Sequence, residues 1–183
     1  MTLMTRRAFA VSALALAAGC SNGIGGDGAQ RLDARVDATL SRMYADFPGT
    51  RQLADKSVGM LVMPVVTEAG LGFGGAYGRG ALRVGGVTVD YYSATRASIG
   101  PQIGGQQYSH VLFFMTEDAL REFRTSPGWA AGADVEYVFN NIGEALKAET
   151  TTSISPVIAV VFGQAGVRVG ATIEGTKYTR IIP

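Results

Sequence analysis

The 183-residue chain has one cysteine and one histidine, and each scarcity removes a class of chemistry. Cys20 alone cannot close an intramolecular disulfide, and one Cys with one His cannot assemble a thiolate and imidazole zinc site within the chain. Charge is also thin. Charged residues make up 17% of the sequence, with 16 basic residues set against 15 acidic ones and a formal net charge of +1. A protein that tracks phosphates along a nucleic acid carries a basic excess, so no nucleic-acid partner is expected. The acidic residues are scattered singly except for Glu117-Asp118, which identifies neither a carboxylate metal site nor a glycosidase pair. No metal or cofactor is therefore expected. What the chain has in quantity is apolar material, at 47%, and glycine, at 25 residues, enough for one ordinary core and one domain.

The first 19 residues read as an export signal rather than as fold. Arg6 and Arg7 precede an apolar, Ala-rich run from Ala8 to Gly19 that is too short to span a bilayer and ends in small residues. Leu16-Ala17-Ala18-Gly19-Cys20 resembles a bacterial lipobox, with Ala17 where Leu is usual. Cleavage there would leave Cys20 to carry acyl chains. Thr5-Arg6-Arg7-Ala8-Phe9 resembles a twin-arginine signal, whose cargo crosses the membrane folded; a general secretory signal with an incidental Arg pair is the alternative. Loss of Arg6 and Arg7 leaves 14 basic residues against 15 acidic, a nearly neutral mature chain. Residues 20–30 (CSNGIGGDGAQ) hold little that packs and read as a flexible tether spanning under about 20 Å.

From Arg31 to Phe47, Leu32, Val36, Leu40, Met43, Tyr44 and Phe47 recur at helical spacing, and Pro48-Gly49 ends the run. Arg31, Arg35 and Arg42 fall near the edges of that apolar stripe. The stripe is expected to dock on the domain's own sheet, the alternative being contact with lipid. A short helix is expected around Gln52 to Lys56, then a buried strand from Val58 to Met63 closed by Pro64. Leu82 to Tyr92 reads as a hairpin turning on Gly85-Gly86. Tyr108 to Met115 and Val157 to Phe162 are apolar strands, Val167 to Glu174 alternates like a half-exposed strand, and Thr116-Glu117-Asp118 opens a helix to about Arg124. Val135, Tyr137 and Phe139 alternate too, while the tail of the segment from Ala133 to Thr150 stays ambiguous. The sum is a single α+β domain.

Two motifs invite chemistry and lose it on context. Gly70-x-Gly72-x-x-Gly75 matches the dinucleotide fingerprint in letters, but the following Ala76-Tyr77-Gly78-Arg79-Gly80 leads into a hairpin instead of the helix N-terminus a pyrophosphate needs. These glycines fit sharp strand bends or close strand crossings better, suggesting an antiparallel, glycine-bent, half-barrel-like sheet with a few packed helices. His110 stands beside Ser109 inside an apolar strand, and adjacent strand residues point to opposite faces, so the two cannot pair as base and nucleophile. A hydrogen-bonded strand histidine is the expectation. Thr150-Thr151-Thr152-Ser153 offers hydroxyls without a base or phosphate cradle. No catalytic residue is assigned, and the chain is expected not to be an enzyme.

Five ordered blocks carry a family resemblance: Gly74-Gly75-Ala76-Tyr77-Gly78-Arg79-Gly80, Ser98-Ile99-Gly100-Pro101-Gln102-Ile103-Gly104-Gly105-Gln106, Phe113-Phe114-Met115-Thr116, Thr150-Thr151-Thr152, and Phe162-Gly163 through Glu174-Gly175-Thr176-Lys177. Over roughly Gln52 to Ile181 the chain resembles the SYLF domain. The resemblance implies a lipid-binding module: eukaryotic members bind phosphoinositides, partly through an amphipathic N-terminal helix, some yeast members bind actin, and bacterial members are often exported lipoproteins. The present chain departs from the eukaryotic pattern in its near-neutral mature charge and its three lysines, Lys56, Lys147 and Lys177, which argues against strong phosphoinositide selectivity. The expectation is a periplasm-facing envelope lipoprotein anchored through Cys20, in the outer membrane since Ser21 rather than Asp follows it. Its domain, 31–183, would bind membrane phospholipid with anionic head groups through Arg31, Arg35, Arg42, Arg79 and Arg83. The runner-up is a scaffolding lipoprotein that binds another protein and touches lipid only through its acyl anchor.

Overall fold

The computed structural model describes residues 27–132, 135–138, 155–166 and 173–183. Helix α1 runs from Gly28 to Asp46 and α2 from Thr50 to Lys56. Leu32, Val36 and Met43 of α1 are buried, while Leu40 is partly so. The stripe therefore docks on the sheet, each buried side chain contributing on the order of 1.5–3 kcal/mol. The helix starts three residues earlier than the apolar spacing suggested.

Strands β1 (Gly59–Val84) and β2 (Val87–Phe114) form one long antiparallel hairpin. Its turn is Gly85-Gly86, at φ 58° and 81°, the two positive values a tight two-residue turn requires. A straight strand of 26 residues would reach about 85 Å, longer than a domain of this size is wide. The hairpin instead doubles over near Gly70 to Gly74, bringing the start of β1 back against its end. At Gly80 a Cβ would lie 2.1 Å from the Val62 carbonyl oxygen, and at Gly78 one would lie 2.8 Å from that of Val65, so the backbones cross where no side chain fits. Pro64 does not end the strand. It sits at a bulge between Met63 and Val66, where the ladder is already interrupted and a missing N–H costs nothing.

The other edge of β2 is shared. Strand β5 (Val157–Gly166) pairs with Gln106 to Phe114, and β6 (Lys177–Ile181) pairs with Tyr91 to Thr95. Two short strands, β3 (Trp129–Ala130) and β4 (Val135–Val138), extend the sheet to the order β3-β6-β2-β5-β4, with β1 on the far side of β2. Only the β4–β5 pair is parallel among the described strands; the rest is antiparallel, as the glycine pattern implied. The result is an α+β domain built on a curled half-barrel. Inside the curl, Leu61, Met63, Leu112, Phe114 and Tyr178 pack together. Helix α3 (Glu117–Thr125) is capped by Thr116, whose side chain accepts the Ala119 N–H at 3.3 Å, and it adds Leu120 and Phe123 to that inner core. A second core lies on the outer face under α1, where Val36 and Met43 meet Val62, Ala81, Phe113 and Phe162.

Residues 1–26, and with them the export signal, Cys20 and most of the tether, lie outside the described residues, as do Thr150 to Ser153 and the expected strand over Val167 to Thr172. Ile173, at the end of that segment, is buried. Strand β6 has no counterpart in the sequence reading.

Candidate functional site

The edge of α1 carrying Arg31, Arg35 and Arg42 faces the bulge at Pro64-Val65. Two adjoining grooves share that bulge: one of about 430 Å³ takes in Arg31, Arg35 and Arg79, the other, of about 390 Å³, takes in Arg42 beside Ser109 and Gly163. Arg31 and Arg35 come together because residues four apart share a helix face. Arg79 arrives from β1, since the doubling of that strand lays Tyr77 and Arg79 alongside Val65 and Thr67. Gly28 and Pro183, at the two ends of the described domain, also line this first groove.

The five arginines are not equivalent. Arg31 and Arg42 make exposed one-turn ion pairs, with Asp27 at 2.9 Å and Asp46 at 3.3 Å. Such pairs are worth about 0.3–0.5 kcal/mol and yield readily to a better anion. Arg35 and Arg79 make no ion pair among the described residues. Arg83 differs in kind: only 13% of its side chain is exposed, and its guanidinium holds Asp37 at 2.6 Å and Asp33 at 3.9 Å. It also donates to the Gly86 carbonyl at 3.0 Å. Arg83 thus ties α1 to the hairpin turn and stands apart from the groove, whereas Arg31, Arg35 and Arg79 converge on it.

The curl encloses a second polar group that composition did not reveal. Arg96 and Glu68 form an ion pair at 2.7 Å, with side-chain exposures of 9% and 6%, and Gln106 donates its Nε2–H to the same Glu68 oxygen at 2.7 Å. Further along β2, His110 is fully buried with its Nε2 2.8 Å from the Tyr178 hydroxyl. Burial, aided by the Arg96 charge, lowers the His110 pKa to about 3, so the ring is neutral at neutral pH. Ser109 faces the other way and donates its hydroxyl to the Pro64 carbonyl at 2.6 Å. The expected separation of these two neighbours holds. Among the described residues no three His, Cys, Asp or Glu side chains gather into a metal site, and no helix is long and apolar enough to cross a bilayer.

Residues 95–180 match the family model described as Ysc84, the Las17-binding protein actin regulator. The match spans a little under half of the chain and agrees with the resemblance to the SYLF domain. No curated protein matches it. The matched segment supplies most of β2, α3, β5 and nearly all of β6, and with them Arg96, Gln106, His110 and Tyr178. Arg31, Arg35, Arg42, Arg79 and Arg83 all precede it. The groove of Arg31, Arg35 and Arg79 is lined by α1, β1 and Pro183, all outside the matched segment.

Sequence reasoning overlooked one surface. The outward face of β1 from Val65 to Arg79 carries Thr67, Leu71, Phe73 and Tyr77 at even spacing, and these side chains are exposed. The alternation was present in the sequence but was masked by the glycines around it.

Proposed function

We propose that the chain is an exported, membrane-anchored lipoprotein whose SYLF domain binds anionic phospholipid without catalysis, at the groove of Arg31, Arg35 and Arg79. The observation that carries this reading is convergence: three arginines from two distant segments line one groove, and two of them have no counter-ion among the described residues. Guanidinium groups suit phosphate because their donors are fixed in a fork. Location supports the same reading. Gly28 borders the groove, and Cys20 stands only eight positions before it, a stretch reaching at most about 28 Å. Acyl chains on Cys20 would hold this side of the domain against the bilayer.

The strength follows from the count. A cation near an anionic surface contributes about 1 kcal/mol, so three give on the order of 3 kcal/mol. That is enough to orient a tethered domain, whose anchor raises the local lipid concentration, but too little to hold a free one firmly. Arg42 adds to the field from the adjoining groove, and Arg83 acts by fixing α1 in place.

The test is co-sedimentation of the chain from residue 20 onward, carrying Cys20→Ser, with vesicles of phosphatidylcholine alone or mixed with phosphatidylglycerol. Binding to the anionic vesicles at about 0.01 M salt, where screening extends about 30 Å, should weaken towards physiological salt, where it extends about 8 Å. Equal recovery with neutral and anionic vesicles at low salt would refute an electrostatic groove, and no binding to either would favour a protein-binding scaffold instead.

A further inference from the structure

Contact of the α1 apolar stripe with lipid was the alternative to docking on the sheet, and the structure closes that route: Leu32, Val36 and Met43 are buried against the sheet, and Arg83 pins the helix through Asp37 at 2.6 Å. Any apolar contact with a bilayer must come from side chains that are already bare. Four of the seven exposed large hydrophobic side chains among the described residues lie on one strip. On the outward face of β1, Leu71 is 73% exposed and Phe73 76%, with Tyr77 at 54% and Val65 at 47% beside them. Leu71 and Phe73 sit at the bend where the hairpin doubles over. From there the strip runs along both arms of the fold, through Thr67 and Tyr77, into the groove of Arg31, Arg35 and Arg79.

The order along the strip is apolar tip, then aromatic hydroxyl, then cations. Phe73 and Arg79 share one strand face six residues apart, about 20 Å at strand rise. Lying flat, a strip of that length meets a membrane surface everywhere at once: Leu71 and Phe73 at the acyl boundary, Tyr77 at the interface where amphipathic rings settle, and the arginines among the head groups. Isolated exposed apolar residues need no explanation, but a bare Leu and Phe at a strand bend in line with an arginine-lined groove fit a surface that is itself apolar beneath an anionic layer.

The geometry points to Leu71 and Phe73 as a membrane-inserting wedge, a second lipid contact chemically distinct from the arginine groove. The wedge rests on the reading of the domain as lipid-binding, while its insertion does not require the arginines. The experiment separates the two. In the chain from residue 20 onward with Cys20→Ser, Phe73→Trp places a reporter at the tip, with the unsubstituted chain and its Trp129 as the baseline. Small, highly curved vesicles of phosphatidylcholine in high salt test the wedge alone, and phosphatidylglycerol vesicles in low salt test wedge and groove together.

The expected result is a blue shift of the Phe73→Trp emission and its quenching by lipids brominated in the acyl chains, neither of which the baseline shows. Leu71→Ser with Phe73→Ser should lower partitioning onto the neutral vesicles by about tenfold or more, since each buried apolar side chain is worth at least that factor. Binding to anionic vesicles without any quenching at position 73 overturns the wedge while leaving the groove standing. Retained quenching after reversal of Arg31, Arg35 and Arg79 supports the wedge and counts against the groove as the sole contact. Loss of a dimer, rather than of vesicle binding, in the Leu71→Ser and Phe73→Ser variant identifies the tip as a self-association surface and overturns the inference.

Discussion

One face of β1 becomes two different surfaces. At its ends, Val62 and Ala81 point outward into the underside of α1 and are completely buried, while in the middle Leu71 and Phe73 point outward into nothing. The alternation of the strand is the same in both places. The difference lies in the helix, whose 19 residues span about 28 Å and cover only one end of the doubled hairpin. Apolar residues within its reach are core, and those beyond it are surface. Charge follows the same division: Arg83 lies near the helix and is held by Asp37 and Asp33, whereas Arg79, four residues back on the same face, has no ion pair among the described residues.

The sharpest way to break that contrast is to place a charge at the covered end. Val36→Asp puts an unpaired carboxylate into the sealed outer core and should cost several kcal/mol, enough to unfold a domain of ordinary stability. A melting temperature near that of the parent would mean the helix is not docked.

A smaller effect is expected inside the curl, from pH. The folded pKa of His110 is about 3, against an ordinary value of 6.5 in the unfolded chain. Its contribution is complete above about pH 6.5 and is lost as the pH falls, because the unfolded chain takes up a proton that the folded ring refuses. The loss approaches about 1.4 kcal/mol per pH unit until the pH nears 3. His110→Gln should flatten this slope in denaturation curves between pH 6 and 4, and identical slopes in the two proteins would place the acid sensitivity elsewhere. The smallest effect belongs to the bare end. Leu71→Ser with Phe73→Ser should change stability by no more than about 0.5 kcal/mol each, since neither side chain is buried.

Legibility of the sequence followed the same line. The helix stripe, the Gly85-Gly86 turn, the Thr116 cap and the glycine-bent sheet were all readable because each is a local pattern with a local cause. Pro64 misled because a strand can continue through proline at a bulge, and bulges depend on the partner strand. Strand β6, of which only Tyr178 is buried, has too short an apolar signal to stand out. The Arg96–Glu68 pair joins residues far apart in the chain whose contact only the doubled hairpin creates. For the site, the sequence offered five arginines as one set. It had no means of separating Arg83, whose two aspartates come from the helix, from Arg79 beside the groove.

The most direct measurement compares two charge reversals that change net charge equally. Arg35→Glu lies in the groove, while Arg121→Glu lies on α3, where the arginine is exposed and paired with Asp118. On vesicles containing phosphatidylglycerol at low salt, Arg35→Glu removes one attraction and adds one repulsion, about 2 kcal/mol or roughly thirtyfold in affinity. Arg121→Glu should change affinity by less than about threefold. Equal losses in the two variants would mean that vesicles sense only the overall charge, and that the groove of Arg31, Arg35 and Arg79 is not where lipid binds.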